Sequence, residues 1–287
     1  MDKSEVLKIF ASTREKFLRG KIPSESPTAY ILGGQPASGK SNLNSIAEQN
    51  SPALLRINGD TYRMLHPLAE QLQIQPEIYP QETQIFSSVF TEGLIDEAIK
   101  RRLNVSVEGT MRRPEVVLNT ATLFREAGFR TEALCIVAPL EYSYVNTYYR
   151  YATSLEKNGS GRLAPLESIN ISANGLPKTL DALHQQKAVD SIRIFDIYAN
   201  KQVKRYDLVD GNWNDPYTPP SMIVRNAIDN QKRSPELLAM YQARAEKTVS
   251  MLKEQAPALL IEFTKVAQQI SAIAKAITSI LNHQNSL

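Results

Sequence analysis

Cysteine is almost missing from this chain: Cys135 is the only one in 287 residues, so no internal disulfide can form and no thiolate cluster can assemble around a metal. It sits inside the apolar run Ala133–Ala138, where a packed thiol is expected rather than a reactive one. Histidine is scarce as well. His66, His184 and His283 show no metal-ligand spacing, and all three are expected to be structural or surface residues. Nowhere do about eighteen apolar residues run uninterrupted, so no spanning helix is expected. Met1–Gly20 alternates charge with hydrophobes, unlike a secretory leader. Neither sign of charge dominates: 33 Lys and Arg against 30 Asp and Glu leave a net charge of +3, too little to imply nucleic acid or anionic lipid as a partner. A cytoplasmic protein without nucleic-acid or membrane partners is the expectation.

What is present is an ordinary globular composition, 42% hydrophobic and 22% charged, long enough for a large α/β core. Within it, Tyr30-Ile31-Leu32 reads as the end of a buried strand. It runs into Gly33-Gly34-Gln35-Pro36-Ala37-Ser38-Gly39-Lys40-Ser41, which fits the phosphate-binding pattern G-x-x-x-x-G-K-S. The glycines let the backbone curl until its N–H groups converge on phosphate oxygens. The following helix, expected over Asn42–Gln49, presents its positive end to the same oxygens. Lys40 can reach the β- and γ-phosphates of ATP, and the Ser41 hydroxyl can ligate Mg²⁺.

The rest of the chain alternates strands with helices, which implies βαβ units and a parallel, buried sheet. Helices are expected at Ser4–Leu18, Thr61–Gln71, Glu82–Arg102, Pro114–Ala127, Glu141–Lys157 and Pro177–Asp190. Strands are expected at Ala29–Leu32, Ala53–Ile57, Asn104–Val107 and Thr131–Ala138. Arg193–Tyr198 and Gln202–Val209 suggest a hairpin at one sheet edge around Ala199–Asn200. Asp210–Pro220 is turn-rich and holds the only tryptophan, Trp213. From Pro235 onward Leu260, Phe263, Val266, Ile270, Ile273, Ile277 and Ile280 recur at helical spacing, one amphipathic stripe. This predicts a core over residues 1–232 and a helical C-terminal extension over 233–287 packed on it.

In open α/β sheets, sites assemble at the carboxyl ends of the strands. Strand one delivers the P-loop, strand two Asp60, and strand three Glu108 and Thr110. A carboxylate near the γ-phosphate can take a proton from an attacking hydroxyl or order a metal ion and its waters. Asp60 has a structural alternative as N-cap of the helix behind it. No Asn-Lys-x-Asp motif and no aspartate after a run of four hydrophobes is found, which turns the expectation from GTPases and motor ATPases toward kinases of small acceptors. Charge on a transferring phosphoryl group also needs cations; Arg112, Arg113, Arg150 and Arg162 are the candidates.

These pieces in this order resemble the zeta-toxin family, P-loop kinases of bacterial toxin–antitoxin systems. The resemblance runs from about Ala29 to Val209. After the P-loop it is carried by Asn58-Gly59-Asp60-Thr61-Tyr62-Arg63 with His66-Pro67, by Val107-Glu108-Gly109-Thr110-Met111-Arg112, by Tyr149-Arg150-Tyr151, by Arg162-Leu163-Ala164-Pro165 and by Leu176-Pro177-Lys178-Thr179-Leu180. Ala37 stands where many members have glycine, and Ile169-Asn170 where they often have a His-Asp pair.

The resemblance implies a P-loop kinase fold that uses ATP and Mg²⁺ to phosphorylate the 3′-hydroxyl of the amino sugar of UDP-N-acetylglucosamine, a cell-wall precursor. By the same resemblance Asp60 is the general base, and Arg150 and Arg162 clamp the ATP phosphates together with Lys40. Glu92, Glu108, Thr110 and Arg112 hold the acceptor. A small helical antitoxin would restrain the enzyme; a helix of the chain itself, Ser4–Leu18 or Pro257–Asn282, is the other candidate. The alternatives are a P-loop kinase of another hydroxyl acceptor, such as an antibiotic or nucleotide, or a non-catalytic ATP-binding module.

Overall fold

The computed structural model of the chain describes residues 1–73, 75 and 78–284, with side chains as far as Ile273 and at Lys275. The first helix, α1 (Lys3–Leu18), opens on a capping box. The Asp2 carboxylate accepts from the Glu5 N–H at 2.9 Å, and the Glu5 carboxylate accepts from the Asp2 N–H at 3.0 Å, satisfying two donors that a helix start leaves orphaned. Strand β1 (Thr28–Gly33) feeds the P-loop and then α2 (Ser41–Asn50). β2 (Leu55–Asn58) starts later than expected because Ala53 holds a turn at φ 59°, a left-handed conformation outside the strand region.

The helix expected over Thr61–Gln71 is broken. A single turn, α3 (Gly59–Tyr62), passes into a 3-10 turn at Arg63–Leu65, and α4 (Ala69–Gln73) begins only after His66-Pro67. The Pro67 ring pushes its predecessor out of the helical region, and His66 accordingly sits at ψ 131°. A short turn, α5 (Tyr79–Glu82), leads into α6 (Gln84–Lys100), whose Phe86, Val89, Phe90, Leu94, Ile95 and Ala98 are buried at helical spacing. Phe10 of α1 meets Phe90 edge to face at 5.2 Å between ring centres, a favoured aromatic geometry.

β3 (Val105–Glu108), α7 (Pro114–Glu126), β4 (Arg130–Ile136) and α8 (Leu140–Asn158) follow close to their expected bounds. α9 (Leu166–Gln185) does not: the structure carries it straight through Pro177, where the sequence places a helix start. Proline removes one backbone hydrogen bond, but Ile169, Ser172, Leu176, Leu180 and Leu183 bury one continuous face on both sides of it. β5 (Ser191–Phe195), β6 (Gln202–Val209) and the two-residue β7 (Asn212–Trp213) come next. α10 (Pro220–Lys232) is a helix that the sequence reading missed, and α11 (Pro235–Gln255) and α12 (Leu260–Gln284) end the chain on either side of a 3-10 turn.

The strands form one seven-stranded sheet in the order β2-β3-β1-β4-β5-β6-β7. β2, β3, β1, β4 and β5 pair in parallel, and β6 and β7 are antiparallel at one edge, as the hairpin predicted. β1 and β4 are buried almost throughout, as strands covered by helices on both faces must be. The chain leaves β1 for β2, returns to β3, then crosses to β4 on the far side of β1. A crevice opens at the carboxyl end of such a reversal, and here the P-loop lies at its mouth.

Side-chain packing follows the layers. α1 and α6 share a core with β2 and β3, whereas α7, α9 and α10 share another with β4 and β5. α8, α11 and α12 meet through Tyr142, Tyr148, Tyr241, Leu252, Phe263 and Val266, with Tyr142 stacked on Tyr241 at 4.0 Å. Of the C-terminal stripe, Phe263, Val266 and Ile270 are buried; the side chains of Ile277, Ile280 and His283 lie outside the described residues. Cys135 is buried, and burial pushes its thiol far up from the ordinary value. His66 and His184 pack edge-on to Phe86 and flat on Trp213.

Candidate active site

The P-loop is shaped by glycine at two points. Gly34 holds φ 149° and Gly39 φ 95°, both in the range that favours a residue without Cβ. A Cβ at Gly39 would also lie 2.9 Å from the Tyr198 ring. Ala37 holds φ 61° without that freedom. Neighbouring elements grip the loop from outside. The Gln35 Nε2 donates to the Ser143 Oγ at 2.7 Å and to the Ala138 carbonyl at 3.1 Å, and the Asn146 Nδ2 donates to the Ala37 carbonyl at 2.9 Å. Among the described residues, the N–H groups of Gly39, Lys40 and Ser41 make no backbone hydrogen bond. Those free donors stand at the start of α2, where anions are favoured. The Ser38 Oγ is buried with no partner among the described residues, a further polar atom inside the loop.

Lys40 folds back so that its Nζ donates to the Gln35 carbonyl at 3.0 Å. Burial holds its ammonium below the ordinary lysine value; the Glu108 and Asp60 charges pull it back up, and Arg150 adds to the lowering. These four side chains, drawn from the P-loop, β3, α3 and α8, therefore share one electrostatic environment. Glu108 is steadied from α2: the Asn44 Nδ2 approaches its Oε2 at 3.4 Å while the Asn44 Oδ1 accepts from the Ser106 Oγ at 2.7 Å.

Asp60 is not the helix cap. Asn58 takes that place, its side chain accepting from the Asp60 N–H at 3.0 Å, which leaves the Asp60 carboxylate for other partners. The carboxylate is 65% exposed and meets Arg63 Nε at 3.3 Å and Arg162 Nη1 at 3.4 Å. Arg63 is pinned by the Pro80 carbonyl at 2.7 Å and the Thr83 Oγ1 at 3.0 Å. Its contact with Asp60 was missed by sequence reasoning, although a basic residue three positions after a carboxylate on a helical turn is a visible signal.

Arg162 lies on the segment between α8 and α9, after Gly159 ends α8 at φ 68°, a common helix terminator. Its guanidinium also rests over the Tyr79 ring at 5.5 Å. Arg150 is exposed on α8. On the acceptor side, Met111 turns at φ 51°, and α9 holds the segment that follows. The Thr179 Oγ1 donates to the Met111 carbonyl at 2.7 Å, and a Cβ at Gly175 would lie 2.1 Å from the Arg112 carbonyl. Glu92 is exposed on α6 beside Thr91, whose Oγ1 is 3.4 Å from where a Gly59 Cβ would be. Among the described residues, Glu92, Thr110 and Arg112 make no hydrogen bond or ion pair with Lys40, Asp60 or Glu108. Arg113 points to a surface pair with Glu115 at 3.8 Å.

The described residues contain no group of three His, Cys, Asp or Glu that could hold a metal by itself, and no helix long and apolar enough to cross a membrane. Chemically, the cleft offers a ring of N–H donors and a lysine for a polyphosphate on one wall, with carboxylates and arginines facing it. A phosphoryl donor and a hydroxyl acceptor could be oriented there against each other.

Comparison with known proteins agrees with this architecture. The family model described as zeta toxin matches residues 14–208. Toxin zeta of Enterococcus hirae is 27% identical over 262 residues, covering 90% of this chain and 88% of that protein. Toxin PezT of Streptococcus pneumoniae is 28% identical over 197 residues, covering 67% of this chain and 77% of that one. Among solved structures, one from the PezAT chromosomal toxin–antitoxin system of S. pneumoniae superposes with a TM-score of 0.72 at 22% identity, covering 87% of this chain and 98% of its own. The AvrRxo1-ORF1:ORF2 complex superposes at 0.55 with 16% identity, covering 91% and 84%. The fold is that of a P-loop kinase, a mostly parallel sheet flanked by helices.

Proposed function

The chain belongs to the zeta-toxin family, and we propose that it is the toxin of a toxin–antitoxin pair: an ATP-dependent kinase that phosphorylates the 3′-hydroxyl of the amino sugar of UDP-N-acetylglucosamine. The observation that most supports this is the common environment of Lys40, Asp60, Glu108 and Arg150. It joins a phosphate-binding cation to two carboxylates that no phosphate site needs for itself. Carboxylates beside a γ-phosphate repel the donor unless they serve the acceptor or a cation.

In this mechanism the loop Gly34-Gln35-Pro36-Ala37-Ser38-Gly39-Lys40-Ser41 holds the ATP phosphates. Asp60 takes the proton from the acceptor hydroxyl as its oxygen attacks the γ-phosphorus. The bond from that phosphorus to the bridging oxygen breaks and ADP leaves. Lys40, Arg150 and Arg162 balance the charge that spreads over the transferring group. Glu92, Glu108, Thr110 and Arg112 orient the sugar. The donor set suits magnesium bound with a nucleotide. The Ser41 hydroxyl and nearby carboxylates are hard oxygen ligands, and a lone all-protein cage is neither present among the described residues nor usual for this ion. Ser41 would hold the ion, which when bound neutralises charge on the β- and γ-phosphate oxygens.

A separate antitoxin suits the chain better than restraint by its own helices. α1 buries Val6, Phe10 and Leu18, and α12 buries Phe263 and Val266, so both serve the packing of the kinase itself. ATP and the nucleotide sugar place the reaction in the cytoplasm. The deciding experiment is incubation of the protein with ATP, Mg²⁺ and UDP-N-acetylglucosamine, followed by mass spectrometry. One added phosphate on the sugar nucleotide is expected. No product there, with an antibiotic or nucleotide phosphorylated instead, assigns another acceptor; ATP binding without any transfer assigns a non-catalytic module.

A further inference from the structure

α11 reaches the phosphate-binding loop through a closed polar cluster that joins it to α8 and to the turn after β5. The Arg244 guanidinium donates to the Asn146 Oδ1 and to the Tyr198 hydroxyl. It also stands over the rings of Tyr149, Tyr241 and Tyr198 at 5.2, 5.3 and 5.8 Å, within cation–π range. The Asn146 amide is fully used: its Nδ2 donates to the Ala37 carbonyl and the Tyr241 hydroxyl, each at 2.9 Å, and its Oδ1 accepts from Tyr198 at 3.1 Å as well as from Arg244. The Tyr198 and Tyr241 hydroxyls lie 2.7 Å apart.

Tyr198 carries the cluster's geometry into the loop. Its backbone is left-handed, at φ 64° and ψ 6°, a conformation that a bulky residue keeps only when its surroundings hold it. In that conformation its N–H donates to the Ser38 carbonyl at 3.2 Å, while its own carbonyl accepts from the Asn42 Nδ2 at 2.5 Å. A trans peptide carries its C=O and N–H on opposite sides. Tyr198 therefore turns the Gly39 N–H, which shares a peptide with the Ser38 carbonyl, away from itself. The other end of the same hinge is Ala37, left-handed at φ 61° and held by Asn146.

We propose that Arg244 is a positioning residue of the P-loop: by fixing Asn146 and Tyr198 it locks the Ala37 and Ser38 carbonyls outward and so holds the Gly39 N–H inward, toward the phosphate site. Its consequence for ATP rests on the kinase assignment; its consequence for loop order does not. Lysine is not equivalent to it: one nitrogen, Nη1, makes both hydrogen bonds, and the planar guanidinium rests over three rings at the same time. Arg244 and Tyr241 lie downstream of residues 14–208, so this support comes from outside the family segment.

The test compares the full chain with Arg244→Met and Tyr198→Phe by hydrogen exchange of the peptides spanning 33–41, by ATP titration and by acceptor kinetics at saturating ATP. In Arg244→Met, exchange of the Ser38 amide, which donates to the Gln35 carbonyl within the loop, should speed up about tenfold and the ATP dissociation constant should rise about tenfold, the scale of a lost charge-assisted hydrogen bond. KM for the acceptor should stay within about twofold, since a merely structural role would move both substrates alike. A folded Arg244→Met with unchanged exchange and unchanged ATP affinity overturns the proposal. Should that variant fail to fold, Tyr198→Phe keeps the ring and backbone contacts, and faster exchange across 33–41 supports the proposal where unchanged exchange refutes it. If the wild-type chain binds no ATP, the kinase assignment fails while the exchange data still decide the role of Arg244.

Discussion

Arg162 Nη1 lies 3.4 Å from the Asp60 Oδ1, so the expected phosphate clamp rests on the expected general base. The two side chains engage each other in this arrangement. The Arg162 Nη1 directed at Asp60 is not directed at a phosphate oxygen in the same geometry. Both groups are substantially exposed, at 39% and 65%, and exposed ion pairs hold by only about 0–1 kcal/mol. A γ-phosphate would therefore compete readily for Arg162, while Arg63 stays 3.3 Å from the Asp60 carboxylate.

Asp60→Asn separates these roles. The amide cannot take a proton, so phosphotransfer should fall by about 10² or more, the usual scale of a general base. ATP affinity should stay within a few-fold or improve, because Arg162 no longer has a competing carboxylate. Rapid-quench transfer assays beside ATP titration measure both, and near-normal turnover in this variant would remove Asp60 from the mechanism.

Gly175→Ala tests the acceptor wall. The new Cβ would lie 2.1 Å from the Arg112 carbonyl, backbone that cannot swing aside, so α9 must shift from the segment after β3. Overpacking of this kind costs about 1–3 kcal/mol. KM for the acceptor should rise several-fold while ATP affinity holds, because the P-loop is gripped from α8 and Tyr198 and not from α9. Equal losses for both substrates would mean that this contact serves the fold as a whole.

The elements that could be read in advance were those with local cause. The P-loop, the buried β1 and β4, and the hydrophobic face of α6 are written in residues that adjoin in sequence. Pro177 misled because tertiary burial of Leu176 and Leu180 outweighs a lost hydrogen bond, a balance that propensity does not contain. α10 went unseen because its flanking prolines and polar residues resemble a loop until Val224 and Ala227 find their neighbours. In the site, Lys40, Asp60 and Glu108 could be singled out because Glu108 ends β3, Asp60 follows the end of β2 and Lys40 belongs to the loop that follows β1. Arg244 could not: its partners Asn146 and Tyr198 lie far away in sequence, and only folding makes them neighbours.

Acid should reveal the clamp on the antiparallel edge. The Lys204 Nζ lies 2.5 Å from the Asp215 carboxylate, which also accepts from the Thr218 N–H at 3.1 Å; the lysine bond foremost lowers the Asp215 pKa from 3.8 to about 2. A depressed carboxylate contributes stability that is full above its unfolded value and lost as pH falls through the folded one. Asp215→Asn should therefore melt earlier than wild type at pH 7, with the gap closing between 3.8 and about 2. Thermal melts across that range test it; a constant gap would point to a cause other than the charge.

Lys40 should couple nucleotide binding to protons. Burial holds its ammonium below the ordinary 10.5 in the free protein. Unfolding restores that value, so the unfolded chain binds more protons in the interval between, and this group's contribution to stability rises with pH there. ATP works in the opposite direction. Its phosphates favour the charged ammonium and raise the bound-state pKa, so the protein should take up protons on binding, and affinity should fall as pH climbs through the free-state value. Lys40→Met should weaken ATP binding by about tenfold or more, as expected for a buried charge-assisted contact, and should abolish the uptake. Calorimetric titration in two buffers of different ionisation enthalpy counts those protons directly. Uptake that persists undiminished in Lys40→Met would assign the proton to another group and detach Lys40 from the phosphates.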